Sequence, residues 1–212
     1  MKGAINVPDF ELEARAWDRG FHLIAGVDEA GRGPWAGPVV AGAVILDGGN
    51  LPTRLLEGLD DSKKLSARKR DEIFALLPDW AAIGVGLADA PEIDQINILQ
   101  ASFRAMERAL AGLHPPPDYV LVDGDKLPSL PCAAEFVVKG DSRSLSIAAA
   151  SIVAKVTRDR IMSGLADQFP GYGWERNAGY GTAEHKAALT RWGVTDQHRK
   201  SYAPIRKMLS LD

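Results

Sequence analysis

Apolar and polar positions along this chain follow two rhythms. Leu23 to Val27, Val39 to Leu46 and Ala81 to Leu87 are short runs of apolar and β-branched residues with Gly- or Pro-bearing punctuation, the pattern of buried strands that neighbour one another in a sheet. From Pro91 to Leu113 the spacing changes. Ile93, Ile96, Leu99, Phe103, Met106 and Leu110 recur at steps of three and four, predicting one amphipathic helix with Pro91 in its first turn. Pro115, Pro116 and Pro117 stop that helix. Tyr119 to Val122 then reads as a strand ending at Asp123-Gly124, and Glu135 to Val138 as another ending at Gly140-Asp141. Ser144 to about Phe169 is helical by propensity, and the small side chains of Ser146 to Ser151 would let it lie close to the sheet. A glycine- and aromatic-rich loop follows through Gly181, then helices from about Ala183 to Trp192 and from about Pro204 to Leu209.

Strands first, then strands alternating with helices, imply an α/β fold: a mixed sheet covered by helices, with a C-terminal helical extension. We expect residues 1–169 to form the main domain and 170–212 to pack on it as a loop and helical extension. The chain has 212 residues and 46% hydrophobic content, enough for one full core. Its formal net charge of -3 excludes an overall basic field, so any nucleic-acid contact must be a local patch. Cys132 stands alone, which rules out an intramolecular disulfide and fits a reducing compartment. The start of the chain carries Asp9, Glu11 and Glu13 instead of a basic stretch followed by an apolar run, unlike a signal peptide. Its apolar runs are too short to span a bilayer. A cytoplasmic location is expected, with a monomer as the default.

The chemistry lies in the carboxylates. Asp28 and Glu29 stand where an apolar strand stops, just before Gly31-Arg32-Gly33-Pro34. In a continuing strand they point to opposite faces, so both serve one site only if the strand breaks there, as the glycines and proline would allow. Asp123 ends a second expected strand, and Asp141 precedes a helix start, where free amides favour negative charge. Taken singly, each acid is better explained as a turn or cap residue. Four together at one sheet edge would repel, and hard divalent cations such as Mg2+ or Mn2+ would resolve that repulsion. A pair of such ions suits phosphodiester hydrolysis.

These residues carry a resemblance. Gly26-Val27-Asp28-Glu29-Ala30-Gly31-Arg32-Gly33-Pro34 closely resembles the opening signature of the ribonuclease HII family. The likeness continues through Asp61-Ser62-Lys63-Lys64-Leu65-Ser66, Ile93-Asp94 with Asn97-Ile98, Val122-Asp123-Gly124, Lys139-Gly140-Asp141, Ser144 to Asp159, Gly179-Tyr180-Gly181-Thr182 with His185, and His198-Arg199. It implies a ribonuclease H-like fold, a metal and catalytic centre of Asp28, Glu29, Asp123 and Asp141, and RNA/DNA hybrids or ribonucleotide-containing duplex DNA as partners. The implied cut lies 5′ to an embedded ribonucleotide and leaves a 3′-hydroxyl and a 5′-phosphate. Gly31, Arg32 and Gly33 match the loop that approaches the 2′-hydroxyl, the group that separates RNA from DNA. Tyr180 matches a tyrosine that stacks on the following sugar. Tyr202 departs from the pattern, standing where phenylalanine is usual.

Other candidates carry less. Ser62, Lys63 and Lys64 offer phosphate contacts, and a solvated basic loop accounts for the two lysines equally well. Lys155, Arg158 and Arg160 either extend such a patch or belong to a mixed-charge exposed helix face. His185 and His198 fit packing or hydrogen-bonding roles better than metal ligation. The tryptophans are scattered and belong to core or rim, with Trp35 and Trp174 as candidates for the cleft edge. A dinucleotide site lacks its glycine spacing and is opposed by Pro34 and Pro38, and a purely duplex-binding module has no use for clustered acids. A junction resolvase or DNA exonuclease of the same fold remains the alternative.

Overall fold

The computed structural model describes residues 7–210. Five strands, β1 Ile24–Ala30, β2 Val39–Leu46, β3 Ala81–Ala88, β4 Tyr119–Asp123 and β5 Ala133–Val137, form one mixed sheet in the order β3-β2-β1-β4-β5. The β1-β2 and β2-β3 pairs are antiparallel, whereas β1-β4 and β4-β5 are parallel. The helices are α1 Glu11–Asp18, α2 Thr53–Leu56, α3 Ala67–Leu76, α4 Ala90–Ala111, α5 Leu145–Gln168, α6 Trp174–Asn177, α7 Ala183–Trp192 and α8 Ala203–Met208.

The two long helices cover opposite faces. α4 lies on β2 and β3, and α5 lies on β1 and β2. Alternation along β1 sorts its residues: Ala25 and Val27 join the α4-side core with Ile93 and Met106, while Ile24 joins the α5-side core with Leu121 and Ile147. The small residues that open α5 do bring it close, since a Cβ added at Gly26 would sit 2.1 Å from the Ser146 carbonyl carbon. The α5 N-terminal half is buried all round, from Leu145 to Ala154, as a helix between sheet and α3 must be.

Three expectations need correction. The strand through Asp28 does not break at that point: β1 continues to Ala30, with Asp28, Glu29 and Ala30 still paired to β2. The helix expected from Pro91 to Leu113 is interrupted at Asn97 (φ 66°), whose side chain caps a second start by accepting from the Leu99 and Gln100 amides at 3.0 and 3.2 Å. Helices α1 and α3 lie outside the expected elements. Ser66 caps α3 by accepting from the Lys69 amide at 3.2 Å.

Past α5, Tyr172, Trp174, Leu189 and Ile205 form a separate buried cluster with Ala36 and Met162. This cluster backs the loop between β1 and β2. Among the described residues, no helix is long and apolar enough to cross a membrane.

Candidate active site

The strand register places the acids. Gly26 pairs with Leu121 and Val27 with Val122, so Asp28 and Asp123 extend the two parallel strands side by side on the α5 face. Asp141 lies in a short 3-10 turn, Gly140–Ser142, directly before α5 on that same face. Asp28, Asp123 and Asp141 each offer an oxygen within 4.8 Å of the others.

Glu29 is on the opposite face of β1, as strict alternation requires, yet it borders the same cleft of about 300 Å³ because the sheet ends there. Its carboxylate pairs with Arg32 at 3.2 Å. The strand stops at Ala30, before Gly31, where φ is +97° and a Cβ would meet Arg158 Nε at 1.9 Å, so only glycine fits.

Electrostatics mark this corner as unfinished. Burial, then the neighbouring Glu29 and Asp123 charges, hold the Asp28 carboxyl well above its usual range. Burial raises Glu29 as well, against the pull of Arg32. Burial and Asp141 raise Asp123, although its Oδ1 accepts from the Gly140 amide at 2.6 Å. The Lys63 ammonium reaches the acids, 3.2 Å from Asp141 Oδ2 and 3.6 Å from Asp61. Burial lowers the Lys63 pKa, and Asp28, Asp61 and Asp141 together more than reverse that, raising it. Hard oxygen donors this close, with Asp28, Glu29 and Asp123 all pushed toward protonation, fit Mg2+ or Mn2+ and no soft metal.

The cleft also gathers Gly31, Arg32, Gly33, Ser62, Lys63 and Tyr180. Tyr180 is 49% exposed, so its ring is free to receive a ligand. Ser62 is buried, with its hydroxyl 2.7 Å from Ser151 Oγ. Lys64 does not line this cleft and pairs with Asp60 at 2.8 Å.

Two expectations at the periphery are overturned. Arg158 belongs to no surface patch. It is 1% exposed and donates to the carbonyls of Pro38, Ala36 and Ala178 at 2.9, 3.2 and 3.0 Å. Trp174 does not edge the cleft, being fully buried and stacked on Tyr172 at 5.0 Å. Arg160 pairs with Asp71, whereas Lys155, which pairs with Asp159, does line the cleft. His185 and His198 are buried packing residues joined through Nε2 atoms 3.1 Å apart. Sequence reasoning gave Arg199 no role, although it is fully buried under the Gly31–Gly37 loop.

A family model described as Ribonuclease HII matches residues 25–205. A Ribonuclease HII of Rhodospirillum rubrum is 60% identical over 206 residues, covering 96% of this chain and 93% of that protein. Another, of Ruegeria pomeroyi, is 56% identical over 203 residues, covering 95% and 85%. The crystal structure of ribonuclease H2 from Pyrococcus horikoshii superposes with a TM-score of 0.75 at 29% identity, over 90% of this chain and 98% of that one. The mixed sheet, the acids at its edge and these full-length matches agree: the chain belongs to the ribonuclease HII family.

Proposed function

We propose that this protein is a divalent-cation-dependent endonuclease that cuts the RNA strand of RNA/DNA hybrids and cuts 5′ to a ribonucleotide embedded in duplex DNA. The observation that carries this reading is one cleft in which three aspartates within 4.8 Å of one another adjoin the Gly31–Gly33 loop and the exposed Tyr180 ring.

Each group has a task that follows from its place. Asp28, Asp123 and Asp141 would hold the ions, with Glu29 contributing from the other face of β1. Bound Mg2+ or Mn2+ supplies activation of the attacking water and charge stabilisation at the leaving 3′-oxygen. The Gly31–Gly33 backbone and the exposed Tyr180 ring line the cleft, which supports reading of a 2′-hydroxyl by the loop and stacking of the next sugar on the ring. Lys63, with Arg32, supplies local positive charge on a chain of net charge -3, so phosphate contacts stay confined to the cleft. Hydrolysis breaks the bond between phosphorus and the 3′-oxygen, leaving a 3′-hydroxyl upstream and a 5′-phosphate on the ribonucleotide.

The test is cleavage of a DNA duplex carrying one ribonucleotide, in Mg2+, Mn2+ or chelator, with the cut mapped to the nucleotide. We expect a metal-dependent cut on the 5′ side of the ribonucleotide. Cleavage of all-DNA duplexes or junctions instead would favour a resolvase or exonuclease of the same fold.

A further inference from the structure

The segment from Thr195 to Tyr202 holds none of the cleft's acids, yet it bonds to both walls of the cleft. On one wall, Arg199 donates through Nη2 to the Gly31 carbonyl at 2.6 Å, through Nη1 to the Arg32 carbonyl at 2.9 Å and through Nε to the Gly37 carbonyl at 3.1 Å. The Tyr202 hydroxyl accepts from Arg199 Nη1 at 2.9 Å and donates to the Arg32 carbonyl. On the other wall, the Thr195 amide donates to His198 Nδ1 at 2.9 Å, which leaves the His198 proton on Nε2. That proton goes to His185 Nε2, and His185 Nδ1 donates in turn to the Tyr180 carbonyl at 3.0 Å. Asp94 fixes the segment itself by accepting from the Lys200 and Ser201 amides, each at 2.8 Å.

The consequence follows from the planar trans peptide, in which a C=O and the following N–H point in opposite directions. His114-Pro115 is the cis bond of the described chain, so the bonds between Gly31, Arg32 and Gly33 are trans. With the Gly31 and Arg32 carbonyls turned onto the buried guanidinium, the Arg32 and Gly33 amides face away from it. Neither amide donates to another group of the described chain.

We propose that Arg199, supported by the Tyr202 hydroxyl, is a positioning residue for sugar discrimination: it turns the loop carbonyls inward so that the Arg32 and Gly33 amides meet the substrate 2′-hydroxyl. This rests on the ribonucleotide-reading function above. The Tyr202 hydroxyl is the part in which this chain departs from the family pattern, and it adds a second donor on the Arg32 carbonyl.

The experiment uses two conservative variants of the full chain. Arg199→Lys keeps the charge and loses the fork, and Tyr202→Phe removes one oxygen atom. For each, KM and kcat are measured on a duplex with one ribonucleotide, and the identical all-DNA duplex is titrated as a competitive inhibitor. The ratio of the inhibition constant to KM reads sugar discrimination, and the melting temperature is taken in parallel. We expect the ratio to fall about tenfold in Arg199→Lys and about threefold in Tyr202→Phe, the size of one or two net hydrogen bonds. A wild-type ratio near one would remove the ribonucleotide-reading function itself. A wild-type ratio well above one that both variants retain would overturn this inference alone. So would parallel weakening of KM and inhibition constant with a lower melting temperature, because that is what a structural role would do. If Arg199→Lys fails to fold, Tyr202→Phe decides by the same ratio.

Discussion

Two centres of buried charge lie on either side of the β1 terminus, and they are built on opposite principles. Arg158 and Arg199 are positive, 1% and 0% exposed, and make no ion pair among the described residues; their N–H groups are met by backbone carbonyls and the Tyr202 hydroxyl. Burial, then the neighbouring Arg199 charge, lowers the Arg158 pKa to about 10, which still leaves it charged at neutral pH. Asp28 and Asp141 are acids, 4% and 6% exposed, and with Asp123 they set three carboxyls close together beside Lys63. A buried polar group whose hydrogen bonds are complete rigidifies its surroundings, whereas a cluster short of counter-charge marks the place for a ligand. The arginines hold the loop, and the acids wait for ions.

The largest expected effect breaks the acid side. Asp28→Asn keeps the side-chain volume and removes a charge, so cleavage should fall by about a thousandfold or more, in the range found when a principal electrostatic contribution to catalysis is lost. The same change should leave the metal-free melting temperature equal or higher, since it relieves repulsion. Single-turnover kinetics and thermal melting check both; wild-type-like turnover would remove Asp28 from the metal site.

The arginine side should respond in reverse. Arg158→Ala strands three carbonyls, each costing about 1–3 kcal/mol when left unmet, so its melting temperature should drop steeply with or without metal. A variant that melts like wild type would show that water replaces the guanidinium at no cost. Tyr180→Ala is milder: we expect about a tenfold loss at single embedded ribonucleotides and less within long hybrids, in keeping with the stacking of one group. Equal losses on the two substrates would count against junction reading.

The contrast explains what the sequence could and could not disclose. The acids were legible because a strand that ends on a carboxylate is visible as an apolar run meeting Asp or Glu, as at Val122-Asp123. How Glu29 reaches the cleft was not, because it depends on the sheet ending there with both faces open, instead of on a break at Asp28. The strands and the long helix before β4 were legible as short apolar runs and three-to-four spacing, but the interruption at Asn97 was not, since Ile96 and Leu99 continue the helical rhythm across it. Arg158 and Trp174 were misplaced for one reason. Their burial depends on residues distant in sequence, Ala36 and Pro38 for the arginine and Ala36 and Ile205 in the cluster around the indole, which no local pattern reveals.

The smallest effect concerns pH. Burial and His185 press His198 down to about 4, so the unfolded chain protonates first. That contribution to stability is present above the free-histidine value near 6.5 and is lost as pH falls toward 4. Asp28 has the opposite sign, because its raised pKa makes the native state take up protons first and gain stability as pH falls. The metal-free melting temperature of Asp28→Asn should therefore decline more steeply than that of the wild type between pH 6.5 and 4. Parallel profiles would show that Asp28 titrates near its ordinary value.

Thermal melting across a Mn2+ titration at neutral pH, wild type beside Asp28→Asn, tests most directly whether the acid cluster is incomplete until cations arrive. An ion that binds only the native state must raise its stability with concentration. The account predicts a wild-type melting temperature that climbs with Mn2+ and a variant that starts as high or higher and responds weakly. A wild type indifferent to Mn2+, or a variant that climbs equally, would contradict it.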